Sequence, residues 1–267
     1  MLNAIIFDMD GTLADTEEIH RQAFNAAFAE FHIDCQWDPE EYRRLLSVSG
    51  GKERIRAYLL DHHLVDLPRK EIIRLASTIH KRKSEIYRDK LVRGRIKLRP
   101  GVARLIRSAV AEGVKLGIAT SSSIKNVEAL LKNTMGPEAL DLFDCIVTCE
   151  IVADKKPSPA VYQFALAELG LSPAHCLAIE DTRNGNQAAL AAGLKTVITT
   201  HAFTTDDNFD GAQLVVDQLG EPDQPFRVIV GDSRGYRFAS IDLLRELLDG
   251  DDDGRECWEG SEIIAAE

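Results

Sequence analysis

No apolar run in this chain approaches the roughly 20 residues that a membrane-crossing helix needs, so a helical span is excluded. Cysteine is sparse and scattered: Cys35, Cys145, Cys149, Cys176 and Cys257 are odd in number and form no pair of close pairs. A disulfide scaffold or zinc module is therefore not expected, and the Cys145/Cys149 spacing lacks the partners a metal would need. No basic stripe suggests nucleic-acid binding. No internal repeat or low-complexity block interrupts the chain before its acidic end. Nor does a basic, apolar, small-residue leader precede the strand-like sequence at Ala4. A cytoplasmic protein is expected, and a mature organellar form would look the same.

What is present is an ordinary globular composition. The 267 residues are 45% hydrophobic and 28% charged, enough for one large domain or a core carrying a smaller insert. The net charge of -11 is unevenly spread. Asp249, Asp251, Asp252, Asp253, Glu256, Glu259, Glu262 and Glu267 face only Arg255 near the end of the chain, which accounts for most of the excess. The body is only mildly acidic, and the tail reads as a solvated end.

Ala4–Phe7 is an apolar run of strand length that ends abruptly in Asp8-Met9-Asp10-Gly11-Thr12-Leu13. After Leu13 the pattern turns helical, with Ile19, Ala23, Phe24, Ala27, Phe28 and Phe31 at three- and four-residue intervals and Asp15 or Thr16 as the expected N-cap. Helical patterns continue over 40–46, 53–60 and 70–88, with no strand between Asp15 and Arg93. Strands and helices then alternate: strands over 115–120, 145–148, 176–179 and 196–199, helices over 101–111, 125–131, 160–169 and 186–192. Such alternation predicts an α/β fold, a Rossmann-like parallel sheet core with right-handed crossovers and an inserted all-helical cap domain. The expected boundaries are 1–14 and 94–220 for the core, 15–93 for the cap, and 221–267 for a C-terminal addition. That addition reads as a hairpin of 226–230 with 236–239, a helix over 241–248, and the acidic tail.

Four segments fall at strand ends, where open α/β sheets bind ligands. Asp8 and Asp10 offer one carboxylate to attack or hold a metal and another to move a proton. Thr120-Ser121-Ser122 sets hydroxyls beside free N–H groups at a helix start. Lys155-Lys156-Pro157 supplies a cation in a stiffened loop, and Glu180-Asp181 is a second acidic pair suited to a hard cation. Each alone is consistent with an ordinary turn or cap. Taken together and in this order they resemble the four motifs of the haloacid dehalogenase-like phosphatases.

The resemblance implies roles position by position. Asp8 matches the nucleophile that forms an aspartyl phosphate, and Asp10 the general acid/base. Thr120 matches the hydroxyl that binds a phosphoryl oxygen. Lys156, with Lys155 as a competitor, matches the lysine that neutralises nucleophile and phosphate. Glu180 and Asp181 match the acidic pair that holds Mg²⁺ together with Asp8 and the backbone carbonyl of Asp10. Phosphoryl transfer concentrates charge on oxygens, so a metal, a lysine and N–H donors suit it.

The helical insert resembles the cap of the β-phosphoglucomutase-like subfamily. Thr16–Asn25 and the loop Ser49–Ile55 resemble the Rubisco-associated CbbY-type phosphatases, which remove a phosphate from xylulose-1,5-bisphosphate. Gly50 and Gly51 allow close backbone approach, while Lys52 and Arg54 offer charge to a second phosphate. Glu17 and His20, one turn apart, are candidates to bind sugar hydroxyls or to position Asp10. Tyr42 is a candidate ring contact, and Ser121 joins Thr120 on the substrate. His20 on a helix surface, Tyr42 in cap packing and Arg54 as a solvated charge are the plainer alternatives. The implied partner is a small-molecule sugar phosphate, with no nucleic acid or membrane and a monomer as the working expectation. A β-phosphoglucomutase-like mutase and a sugar-monophosphate phosphatase remain open, because one aspartyl phosphate serves all three. A dehalogenase has no need of Asp10 or the metal ligands. A non-catalytic regulator has no need of the complete set.

Overall fold

The structure, a computed structural model, describes residues 1–94 and 96–250. The acidic tail and Cys257 lie outside the described residues. Seven strands form one sheet: β1 (Ala4–Phe7), β2 (Lys115–Ala119), β3 (Cys145–Val147), β4 (Cys176–Glu180), β5 (Lys195–Thr199), β6 (Leu214–Val216) and β7 (Val228–Gly231). Their order is β3-β2-β1-β4-β5-β6-β7. All neighbours are parallel except β6 and β7. β1 therefore lies centrally, between β2 and β4, and its carboxyl end faces theirs.

Burial on both faces explains the apolar runs. In β1, Ile5 and Phe7 join one cluster and Ala4 and Ile6 another, following the two-residue period of a strand. The Ile5/Phe7 face is covered by α5 (Val102–Ala111), α6 (Ile124–Met135) and α9 (Ile241–Asp249). The opposite face is covered by α7 (Ala160–Leu169) and α8 (Arg183–Ala191).

Between β1 and α5 run four helices: α1 (Glu17–Glu30), α2 (Pro39–Leu45), α3 (Gly51–Asp61) and α4 (Arg69–Arg93). They share a third cluster built on Phe24, Phe28, Trp37, Tyr42, Ile55 and Leu59. Fully burying one such side chain contributes about 1.5–3 kcal/mol. The two chain crossings into this layer are joined, because Ala14 bridges Leu98. Arg99, next to that bridge, donates to the carbonyls of Gly11, Thr199, Thr200 and Asp217.

Two local expectations need correction. The segment 236–239 forms no strand, so there is no hairpin of 226–230 with 236–239. β7 pairs antiparallel with β6 instead, a strand that the sequence pattern did not reveal. β6 is three fully buried residues, too short for alternation to register. Thr16 does sit at the N-cap of α1, but its hydroxyl makes no capping bond. It points to Asp10 instead.

Candidate active site

β1 ends at Phe7, so Asp8 leaves the sheet directly above its centre, and Asp8 N–H still donates to Ile179 of β4 at 2.9 Å. β2 ends before Thr120 and β4 ends on Glu180. Lys156 comes from the loop between β3 and α7. Parallel register thus brings three strand ends to one place.

Lys156 Nζ donates to Asp8 Oδ1 at 2.6 Å, to the Ala119 carbonyl at 2.9 Å and to Glu180 Oε1. Tyr162 OH donates to the same Glu180 oxygen at 2.6 Å, while Asp181 N–H and the Thr182 hydroxyl face Oε2 at 3.1 and 3.4 Å. Two donors on each oxygen fill the acceptor sites of a carboxylate. A Cβ on Gly185 would lie 2.0 Å from the Glu180 carboxyl carbon, so only glycine fits under that group. Asp181 is fixed by Thr12 Oγ1 at 2.8 Å and His201 Nε2 at 2.9 Å.

Asp8, Glu180 and Asp181 bring carboxylate oxygens within 4.8 Å of one another, although Glu180, expected from sequence as a metal ligand, already has two donors on each oxygen. Burial raises the pKa of Asp8 well above the carboxylate range; Lys156 opposes the rise, and Glu180 and Asp181 add to it. Burial also raises Asp181. For Lys156 burial acts downward, but Asp8 and Glu180 outweigh it and hold the ammonium charged. The net effect is a pocket short of positive charge, built only from oxygen ligands.

Asp10 has a different set of partners. Its Oδ1 accepts from Thr16 Oγ1 at 2.8 Å and Tyr87 OH at 2.7 Å, and meets His20 Nε2 at 3.0 Å. Burial pushes its pKa upward, yet the contact with His20 and the hydrogen bonds from Tyr87 and Thr16 bring it well below the usual range. His20 stacks on Tyr87 with ring centroids 3.9 Å apart, and its Nδ1 contacts Lys83 Nζ. Lys83 is buried, and that burial brings its pKa from 10.5 down to about 7.

A cavity of about 460 Å³ connects both carboxylates to the helical layer. Asp8, Asp10, Thr120, Ser121 and Lys156 line it from the sheet side, and Glu17, His20, Tyr42, Gly50, Gly51, Lys52 and Arg54 from the helices. Lys155 lines it as well, but Lys156 alone reaches Asp8. Tyr42 OH donates to Glu17 at 2.7 Å, and Tyr42 is fully buried. Arg54 is buried too and spends its N–H groups on Leu45 O, Val48 O and Tyr42 OH. Lys52 is half exposed, 3.5 Å from Glu53. Gly50 has φ +90, and a Cβ on Gly51 would press on His80 at 2.8 Å.

The sequence pattern does not single out Lys83, Tyr87, Tyr162 and His201, and it offers Thr12 only as part of a motif and Thr16 as an N-cap and in the Thr16–Asn25 segment, not as partners of Asp181 and Asp10. One signal was available. The buried stripe of α4 runs Ile72, Ala76, Ile79, Lys83, Tyr87, Leu91, and a lysine in such a stripe must serve something polar.

Known proteins resemble this chain over most of its length. A family model for haloacid dehalogenase-like hydrolases matches residues 2–193. CbbY of Cereibacter sphaeroides is 44% identical over 221 residues, covering 83% of this chain and 94% of that protein. The plasmid-borne CbbY of Cupriavidus necator is 44% identical over 247 residues, covering 91% of this chain and 96% of that one. A solved structure of a CbbY variant from Rhodobacter sphaeroides, in complex with xylulose-(1,5)bisphosphate, superposes with a TM-score of 0.75 at 43% identity, covering 82% of this chain and 95% of that one. An α/β sheet beneath a helical layer thus has its counterpart among known enzymes, and this chain is a phosphatase belonging to the haloacid dehalogenase-like hydrolase family.

Proposed function

We propose that this enzyme removes one phosphate from xylulose-1,5-bisphosphate, giving xylulose 5-phosphate and phosphate, with Mg²⁺ and through an aspartyl phosphate on Asp8. The reading rests on one observation above others: Asp8 and Asp10 open into one cavity but are held by separate partners, Asp8 by Lys156 and Asp10 by Thr16, His20 and Tyr87. The bisphosphate found with the CbbY relative supports the substrate class.

The donor set fits a hard cation, being oxygen only and gathered within 4.8 Å. A Cβ on Gly11 would lie 2.2 Å from Asp181 Oδ2, so glycine keeps that carboxylate in the cluster. Asp8, Asp181 and the main-chain carbonyl of Asp10 would hold the ion. Glu180, with four donors on it, contributes charge and fixes Lys156. A bound Mg²⁺ would offset the repulsion between Asp8 and an anionic phosphate.

Asp8 attacks phosphorus, and the bond from phosphorus to the sugar oxygen breaks. Lys156 and Thr120 face the charge that develops on the phosphoryl oxygens. Asp10 gives the leaving oxygen a proton, then takes one from the water that cleaves the aspartyl phosphate. Free Asp10 is a carboxylate, so it must be loaded first. An arriving dianion raises its proton affinity, and the His20–Lys83 contact lies directly behind it. Residues 15–93 act as the cap, closing the cavity over the sugar and presenting Lys52 and the Gly50-Gly51 turn to the distal phosphate. Glu17 and Tyr42 would shape the pocket between the two phosphates.

The test is phosphate release from a panel of sugar mono- and bisphosphates with and without Mg²⁺, wild type beside Asp8→Asn. Selective, Mg²⁺-dependent turnover of the pentulose bisphosphate, lost in Asp8→Asn, is expected. Broad, weak release from monophosphates would overturn the substrate. An isomeric sugar phosphate in place of free phosphate would identify a mutase.

A further inference from the structure

The loop 201–207, which follows β5, touches the acidic pair on one side and the helical layer on the other. On the first side, His201 Nε2 lies 2.9 Å from Asp181 Oδ2, and its side chain is only 6% exposed. The ring has its tautomer fixed from behind. Phe203 N–H donates to His201 Nδ1 at 3.2 Å, so the proton resides on Nε2 and is donated to Asp181. Asp207 of the same loop accepts from Arg183 N–H at 3.0 Å, at the first turn of the helix that follows Asp181. On the second side, Arg43 of α2 donates to Asp206 Oδ2 and to the Ala202 carbonyl, both at 2.6 Å. Phe203 meets Tyr42 edge-on with ring centroids 5.5 Å apart.

We propose that His201 is a positioning residue for Asp181 as a metal ligand, and that its loop passes the docking of the helical layer on to that carboxylate. The inference rests on the reading of Asp8 and Asp181 as Mg²⁺ ligands. A ligating carboxylate held from outside by a second group is aimed as well as charged, and losing such a partner typically weakens metal binding by about 10–100-fold. Thr12 holds only the other oxygen, Oδ1, so without His201 the carboxylate can turn about that single contact. The tie to the layer is weaker, because Arg43 and Asp206 are 44% and 74% exposed, and such a pair changes an equilibrium by no more than about fivefold.

The experiment is calorimetric titration of the whole apo-protein with MgCl₂, which reads binding without turnover. His201→Leu is expected to bind at least about tenfold more weakly. His201→Gln, whose amide can still donate to Asp181, should recover most of that loss, which a purely structural histidine would not allow. Arg43→Ala should weaken binding about two- to threefold in the native background and not at all beside His201→Leu. Asp181→Asn is the control, and if it binds like wild type the metal site itself is wrong. Loss in Asp181→Asn with unchanged binding in both His201 variants overturns the inference alone. Independent, multiplying effects of Arg43→Ala and His201→Leu overturn the link to the layer.

Discussion

Replacing Lys83 by methionine should make the protein more stable, and more so in mild acid. The ammonium of Lys83 is buried, 4.4 Å from the Phe24 ring centroid and 5.1 Å from that of Tyr87, with His20 Nδ1 as its polar contact. Burial brings its pKa from 10.5 to about 7, with Asp10 and Glu17 limiting the fall. At about 1.4 kcal/mol per unit, the charged form costs the native state roughly 5 kcal/mol. Unfolded chains keep this proton up to about pH 10.5, while the native state releases it near pH 7. In that window the unfolded state binds more protons, so stability rises with pH; below it the full cost is present. Methionine keeps the length and apolar stem, and removes the charge and one hydrogen bond worth about 1 kcal/mol. Lys83→Met should therefore be about 3–4 kcal/mol more stable at pH 6 and about 1 kcal/mol less stable above pH 10. Urea unfolding of both proteins at one-unit steps from pH 6 to 10 measures this directly. Parallel curves across that range would refute the reasoning, since they would mean that Lys83 titrates alike folded and unfolded.

Gly185→Ala places a Cβ 2.0 Å from the Glu180 carboxyl carbon and must displace it from Lys156. Turnover should fall about 100-fold or more, with about 1–3 kcal/mol lost in thermal or urea melts, as in other overpacked sites. Asp10→Asn should lower kcat by about 10²–10⁴ while inorganic phosphate still binds, measured by steady-state kinetics and by titration with phosphate. Lys52→Ala should raise KM for a bisphosphate about tenfold and leave that for a sugar monophosphate unchanged, if this exposed side chain meets the distal phosphate as proposed.

The sheet was legible because buried parallel strands leave a strong trace. Each of β1, β2 and β4 carries a short apolar run that stops at a polar residue, and the stops themselves carry Asp8, Thr120 and Glu180. Segments whose fate depends on distant partners were not legible. Nothing within Leu214–Val216 says that it will pair with β7, and nothing near Tyr236 says that it will not. The same holds in the site. Asp8 and Lys156 are visible because each belongs to a compact motif. Tyr162, His201, Lys83 and Tyr87 act over long separations, as single side chains in otherwise ordinary helices and loops. Arg54 reads in sequence as a charge for a phosphate or as a solvated one, and only the fold shows it lining the cavity with three of its N–H groups already given to Leu45, Val48 and Tyr42.

The two aspartates owe their surroundings to different parts of the chain. Asp8 is held by Lys156 from the sheet side, whereas Asp10 takes its three donors from Thr16, His20 and Tyr87, at the start of α1, within it and on α4. A rotation about the Ala14–Leu98 bridge that lifts this layer would strip all three donors from Asp10 at once and leave Asp8 armed. Nucleophile and proton carrier would then keep separate time. On the proposed mechanism a phosphorylated Asp8 would then outlast the departure of the first sugar product, because Asp10 would no longer be aimed to take a proton from water. What enters before the next closure, water alone or a sugar hydroxyl, would choose between hydrolysis and transfer, so the balance between the two would lie in how long the door stays open.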